Sequence, residues 1–265
     1  EQHLHWIEKR AFSVTQNLFS VTDKVVIVTG ASRGIGRAVA EGFLTAGAKV
    51  ALVARSPEML ENVKAFPDSQ VLGIQADLSN QSSSPTICQQ VLDKFSRIDA
   101  LINNAGISII EGDPYDFKTW EQTLAVNLTS VFQLSQQVAE TMQQQHQGTI
   151  IHIASVASSL GFPDSPAYQA SKGGLRQLSK AMARDWCDDG IRVNCICPGY
   201  FRTAMTAKSY AIAEKREARS QRTMMGRFGE PKELVGPCMF LASDASSYIT
   251  GQDLYVDGGL TAKAL

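Results

Sequence analysis

The chain has 265 residues, of which 44% are hydrophobic and 19% charged, enough to bury a large core as one α/β domain or two small ones. Its formal net charge is -1, with both signs scattered and no basic block, which leaves no electrostatic footprint for nucleic acid or an anionic membrane surface. No apolar run approaches the roughly 20 residues of a membrane span, so a small-molecule function is the starting expectation.

The N-terminal "EQHLHWIEKRAFSVTQNLFSV" carries acidic residues and no continuous apolar stretch, unlike a signal or transit peptide. Residues 1–22 read as a surface arm of unknown role ahead of one domain spanning 23–265. From residue 24 a strand, "KVVIVT" (24–29), runs into "GASRGIG" and then a helical pattern over 34–46. Gly30, Gly34 and Gly36 at that junction permit a sharp turn, and the helix N-terminus beyond them offers unpaired N–H groups to a diphosphate. The spacing is G-x3-G-x-G rather than the commoner G-x-G-x-x-G. Alone it is also compatible with a tight strand-to-helix turn that binds nothing.

A second strand, "KVALVA" (49–54), ends at Arg55, where an NAD site would place a carboxylate for the ribose hydroxyls. With no carboxylate there, a 2'-phosphate can sit against Arg55, with Arg33 as a second cation, which favours NADP(H) over NAD(H). Arg55 as a solvated strand-end charge is the plainer alternative. Further strands are expected at 70–75, 98–103, 148–155, 191–197 and 253–257, with helices at 57–65, 83–96, 117–145, 167–188 and 230–241. Several strands are apolar without alternation, as in a sheet covered on both faces. The βαβα rhythm predicts a Rossmann-type, doubly wound parallel sheet of about seven strands. It is broken only at 200–229, a candidate lid.

The stretch "AYQASKGG" (167–174) puts Tyr168 and Lys172 on one helix face. A free phenol has a pKa near 10, and a neighbouring ammonium favours phenolate, so such a pair can give a tyrosine able to donate and retake a proton. The same spacing is also that of an ordinary surface pair. Ser155, expected at the C-terminal end of a strand, could bond the same substrate oxygen. The five cysteines, Cys88, Cys187, Cys195, Cys197 and Cys238, lie mostly in apolar runs and read as buried thiols of a reducing, cytoplasmic compartment rather than metal ligands.

Taken together, "TGASRGIG" (29–36), "NNAG" (103–106), Asn127 of "VNLTS", Ser155, "YQASK" (168–172), "PGYFRT" (198–203) and "DGG" (257–259) strongly resemble the short-chain dehydrogenase/reductase family over residues 24–260. The resemblance implies a catalytic tetrad of Asn127, Ser155, Tyr168 and Lys172. In it Tyr168 is the acid, Ser155 orients the carbonyl, Lys172 lowers the phenol pKa and bonds the nicotinamide ribose, and Asn127 holds a water linked to Lys172. It also implies cofactor contacts from Gly30, Ser32, Arg33, Gly34, Ile35 and Gly36, from Asp77 and Leu78 at the adenine, and from Asn104, Pro198, Gly199 and Thr203. A homotetramer packed through 117–145 and 167–188 is implied as well.

The segment after the lid is similar to gluconate 5-dehydrogenase and keto-sugar reductases, and also to 3-oxoacyl-acyl-carrier-protein reductases. An acidic carrier protein needs a basic docking face, whereas "TMQQQHQG" (141–148) and "ARDWCDDG" (183–190) are neutral or acidic. The expectation is therefore interconversion of a ketone and a secondary alcohol on a keto-sugar acid, polyol or small carbonyl compound. A non-catalytic NADP-binding or scaffolding protein is the alternative of another class.

Overall fold

A computed structural model of the chain describes residues 18–57 and 64–263. Seven strands, β1 (Val25–Thr29), β2 (Lys49–Ala54), β3 (Val71–Gln75), β4 (Ala100–Asn103), β5 (Gly148–Ile153), β6 (Ile191–Pro198) and β7 (Asp253–Val256), form one sheet in the order β3-β2-β1-β4-β5-β6-β7. Every neighbouring pair is parallel, so all strand C-termini lie along one edge. The chain reverses direction across the sheet between β1 and β4, where a parallel sheet opens a crevice for ligands.

Alternate residues of each strand serve opposite layers. Val26, Val28, Val50, Leu52 and Ile102 pack with Phe43 and Leu44 of α1 (Gly34–Thr45) and Leu241 near the C-terminus. Val25, Ile27, Val53, Leu101 and Ile150 pack with Ile87 and Val91 of α2 (Ser83–Phe95) on the other face. Both faces are thus dry, which is why these strands are continuously apolar.

The helix expected over 117–145 is interrupted. It runs as α3 (Phe117–Leu124), then a π-helical turn (Ala125–Thr129), then α4 (Ser130–Gln145). The region expected at 167–188 is α5 (Pro166–Trp186) with a short 3₁₀ turn after it. The 200–229 segment folds as α6 (Ala207–Ala211) and α7 (Ala213–Gln221). Its base is pinned by two backbone bonds, Gly229 N–H to Tyr200 O (2.8 Å) and Arg202 N–H to Gly229 O (2.9 Å). The last helix, α8 (Val235–Ala242), follows a 3₁₀ turn over Pro231–Leu234.

Residues 18–22, the described end of the arm, lie against the domain. Val21 is buried, Phe19 stacks 6.2 Å from Phe240, and Leu18 O accepts a bond of 2.9 Å from Ala245 N–H. The helix expected at 57–65 falls mostly outside the described residues. Met142 is part of the buried core. All five cysteines are free thiols, and Cys187 is exposed, contrary to the buried setting expected from its neighbours.

Candidate active site

Six segments meet at the strand C-termini, and each brings residues singled out in the sequence. Gly30 follows β1, Arg55 follows β2, Asp77 and Leu78 follow β3, Asn104 follows β4, Ser155 follows β5, and Pro198 ends β6 with Gly199 next. The β1 turn needs glycine for two reasons. Gly30 and Gly34 have φ of 66° and 58°, the left-handed region that disfavours side chains. A Cβ on Gly36 would collide with the Gly30 carbonyl and the Asn104 amide.

The Asn104 amide bridges the crevice, donating to Thr29 O at 2.9 Å, while the Thr29 hydroxyl accepts from the Asn104 and Ala105 N–H groups at 3.0 Å each. Thr29 therefore clamps β1 to the loop after β4. It lies in the glycine block, but only its position opposite Asn104 exposes that role. The first turn of α1 has no side-chain cap at Arg33, so its N–H groups remain available at a terminus of positive polarity. Ser32 and Ile35 are part-buried in the turn, and Arg33 is exposed.

Asn127 sits within the π-helical turn and is fully buried. Its amide donates to Ile107 O (2.8 Å) and Ser171 Oγ (3.1 Å), and its carbonyl accepts from Ile107 N–H (2.8 Å). The widened turn points Asn127 between the loop after β4 and α5. Ile107 escaped sequence reading because it acts only through its backbone.

Ser155 Oγ accepts from Ala157 N–H at 3.1 Å and lies on the side of the Tyr168 phenol. Tyr168 keeps some solvent contact, but the protein packed around its hydroxyl raises the phenol pKa, with the Ser155 side chain pulling the other way. Here desolvation dominates and favours the neutral, proton-bearing form. The Lys172 ammonium lies 5.9 Å from the Tyr168 ring centre and donates to Ile153 O at 2.7 Å. Lys172 is buried, and burial lowers its pKa to about 8.

The outer ring is looser. Arg55 is exposed, and its charge adds to the two Ser79 bonds that hold the Asp77 carboxyl below its ordinary range. Leu78 packs on the core beneath. Gly199 meets Asp257, where a Cβ would come within 2.8 Å, and Thr203 lies beside Gly34. An ion pair between Lys208 of α6 and Glu111 of the loop after β4 joins lid and loop. Tyr200, Tyr210 and Phe228 cluster at 5.1–5.6 Å, with Arg202 5.0 Å from the Tyr210 ring. Cys195 and Cys197 of β6 are buried and their thiols are pushed up to about 12 and about 11.

A doubly wound parallel sheet carrying a glycine turn and a Ser–Tyr–Lys group at its switch point defines an α/β oxidoreductase working on the CH–OH/C=O pair. The chain belongs to the short-chain dehydrogenase/reductase family: residues 30–261 match the family model described as enoyl-(acyl carrier protein) reductase. It is 38% identical over 249 residues to the gluconate 5-dehydrogenase of Gluconobacter oxydans, covering 92% of this chain and 97% of that one. It is 35% identical to a 3-oxoacyl-acyl-carrier-protein reductase of Vibrio cholerae, covering 89% and 97%. The crystal structure of a gluconate 5-dehydrogenase from Burkholderia cenocepacia in complex with NADP and tartrate superposes with a TM-score of 0.87 at 34% identity, covering 94% of this chain and 99% of that one.

Proposed function

We propose that this protein interconverts a ketone and a secondary alcohol with NADP(H), acting on a small hydroxylated acid of the keto-sugar acid type. The observation that carries the reading is the Tyr168 phenol with Ser155 beside it and Lys172 Nζ 5.9 Å from its ring, on the sheet edge that holds the glycine cradle. The residues fit a dinucleotide. A cradle that a Cβ on Gly36 would fill opens before an uncapped helix N-terminus, as a diphosphate requires.

In this reading the turn from Gly30 through Ser32, Gly34, Ile35 and Gly36 takes the diphosphate. Asp77 and Leu78 flank the adenine, and Arg55 with Arg33 takes a 2'-phosphate. Asn104, Pro198, Gly199 and Thr203 line the nicotinamide half, with Tyr168 and Lys172 facing it. When bound, the nicotinamide exchanges a hydride with the substrate carbon.

Everything else falls to the protein. Tyr168, kept protonated by burial, donates its proton to the carbonyl oxygen in reduction and retakes it in oxidation. Ser155 shares that oxygen and orients it. Gly106 leaves open the space between Asn127 Oδ1 and Lys172 Nζ, since a Cβ there would stand 3.3 and 3.5 Å from them. A water in that space would link the two and return a proton toward Tyr168.

The substrate class is supported by the gluconate dehydrogenase relatives and by tartrate, a hydroxy diacid, in the Burkholderia complex. Lys208 and Arg202 bring cations to the lid, each paired with a carboxylate, Glu111 and Glu230, that a bound acid would compete with. A homotetramer is the assembly we propose, supported by the exposed Phe117, Trp120 and Phe132 along α3 and α4. The free thiols suit a cytoplasmic setting. Following NADPH absorbance at 340 nm against 5-ketogluconate, simple diketones and an acetoacetyl thioester tests the reading. Highest kcat/KM with the keto acid supports it, and preference for the thioester moves the chain to the carrier-protein reductases. Absence of turnover with every compound points to a binding protein.

A further inference from the structure

Beneath the site lies a chain of buried polar side chains for which the chemistry above has no use. His152 of β5 is fully buried in the sheet. Its Nδ1 lies 2.7 Å from Ser179 Oγ of α5, and its Nε2 lies 3.2 Å from Ser135 Oγ of α4. Ser135 Oγ accepts from the Asn103 amide of β4 at 3.0 Å, and Ser179 Oγ donates to Leu175 O at 2.8 Å and meets Cys195 Sγ of β6 at 3.0 Å.

One assignment of protons satisfies all of these groups. Ser179 spends its hydrogen on Leu175 O, so it must accept from His152 Nδ1–H. Ser135 already accepts from Asn103, so its hydrogen is free for His152 Nε2. The ring is therefore neutral with its proton on Nδ1, and Cys195 can donate to the remaining lone pair of Ser179. The next residue in β5 is Ile153, whose carbonyl holds Lys172 Nζ. Lys172 itself lies two turns before Ser179 on α5.

We propose that His152 is a positioning residue for Lys172: clamped as the neutral Nδ1–H tautomer between Ser179 and Ser135, it fixes α5 against β5 so that the Ile153 carbonyl meets the lysine ammonium. Lys172 is faced by His152 from β5, Cys195 and Cys197 from β6, and Tyr168 from its own helix. A positive His152 would repel it, and burial together with the Lys172 charge holds the imidazole down at about 3. A carbonyl bonded to an ammonium favours its charged form, so loosening the clamp lowers the pH at which Lys172 loses its proton.

The inference rests on the function proposed above, so one arm of the test is independent of turnover. In the ¹⁵N-histidine NMR spectrum the ring signal that disappears in His152→Phe should show a proton on Nδ1, a bare Nε2 and no titration between about pH 5 and 9. An Nε2–H ring, or titration in that range, overturns the inference whether or not turnover is found. In kinetics, His152→Phe should lower kcat at least tenfold and move the basic limb of the kcat profile to lower pH. His152→Asn, which keeps a donor toward Ser179, should recover most of the loss. Should His152→Phe fail to fold, Ser179→Ala must shift the basic limb the same way. An unchanged profile, or an Asn variant no better than Phe, overturns the positioning role.

Discussion

The Asn127 side chain and the Ile107 backbone exchange two hydrogen bonds of 2.8 Å each. The amide thereby mimics a strand neighbour, tying the loop after β4 to the π-helical turn. Asn127→Ala leaves the part-buried N–H and C=O of Ile107 unpaired, which costs up to about 1–3 kcal/mol per group. Urea denaturation should register that loss, and kcat should fall at least tenfold because the loop beside Lys172 is released.

Lys172 offers a stability prediction whose sign follows from burial. Its pKa is about 8 in the folded chain against an ordinary 10.5, so between those values the unfolded chain holds a proton that the folded one lacks. The penalty of the buried charge is complete below pH 8 and disappears as pH rises to 10.5. The span corresponds to about 3 kcal/mol. Lys172→Met should be more stable than wild type at pH 7, with a difference that shrinks as pH rises through that window. A pH-independent difference in denaturation midpoint would show that desolvation does not control this lysine.

Arg55 stands exposed at the end of β2, where the proposed cofactor bears its 2'-phosphate. Arg55→Ala should raise the KM for NADPH about tenfold or more, the scale of one charge-assisted contact, and leave the KM for NADH within twofold. Equal wild-type efficiency with both cofactors, unchanged in the variant, would refute the NADP(H) assignment.

The Lys208–Glu111 pair spans the cleft from α6 to the loop after β4, and both side chains are well exposed. Such pairs contribute little to stability, so their substitution should leave the melting temperature unchanged. Charge removal should instead be felt by the substrate. Lys208→Ala should raise the KM for a keto acid several-fold and leave that for an uncharged diketone unchanged, with the distinction fading at high salt. Equal effects on both substrates would mean that Lys208 shapes the lid without reading charge.

The sheet was legible in the sequence because fully covered strands are written as continuous β-branched runs, so "VVIVT" and "ALVA" need no tertiary context. The glycine turn was legible for the same local reason. The break at Asn127 was not: "LAVNLTS" has good helical period, and the extra residue of the π turn is stabilised by Ile107, 20 positions away. Nor does the Tyr168–Lys172 spacing show how deeply the phenol is packed, which sets the net direction of its pKa. Thr29 and His152 stayed hidden since their partners, Asn104 and the two serines of α4 and α5, meet them only through the fold.

The most direct test compares NADPH oxidation at 340 nm by wild type and Tyr168→Phe with the best carbonyl substrate, alongside NADPH binding by fluorescence. Loss of the phenolic proton should lower kcat by about 10²–10⁴, the range for one positioned acid, while NADPH affinity stays within a few-fold of wild type. A Tyr168→Phe enzyme that turns over at the wild-type rate would contradict the assignment of Tyr168 as the proton donor.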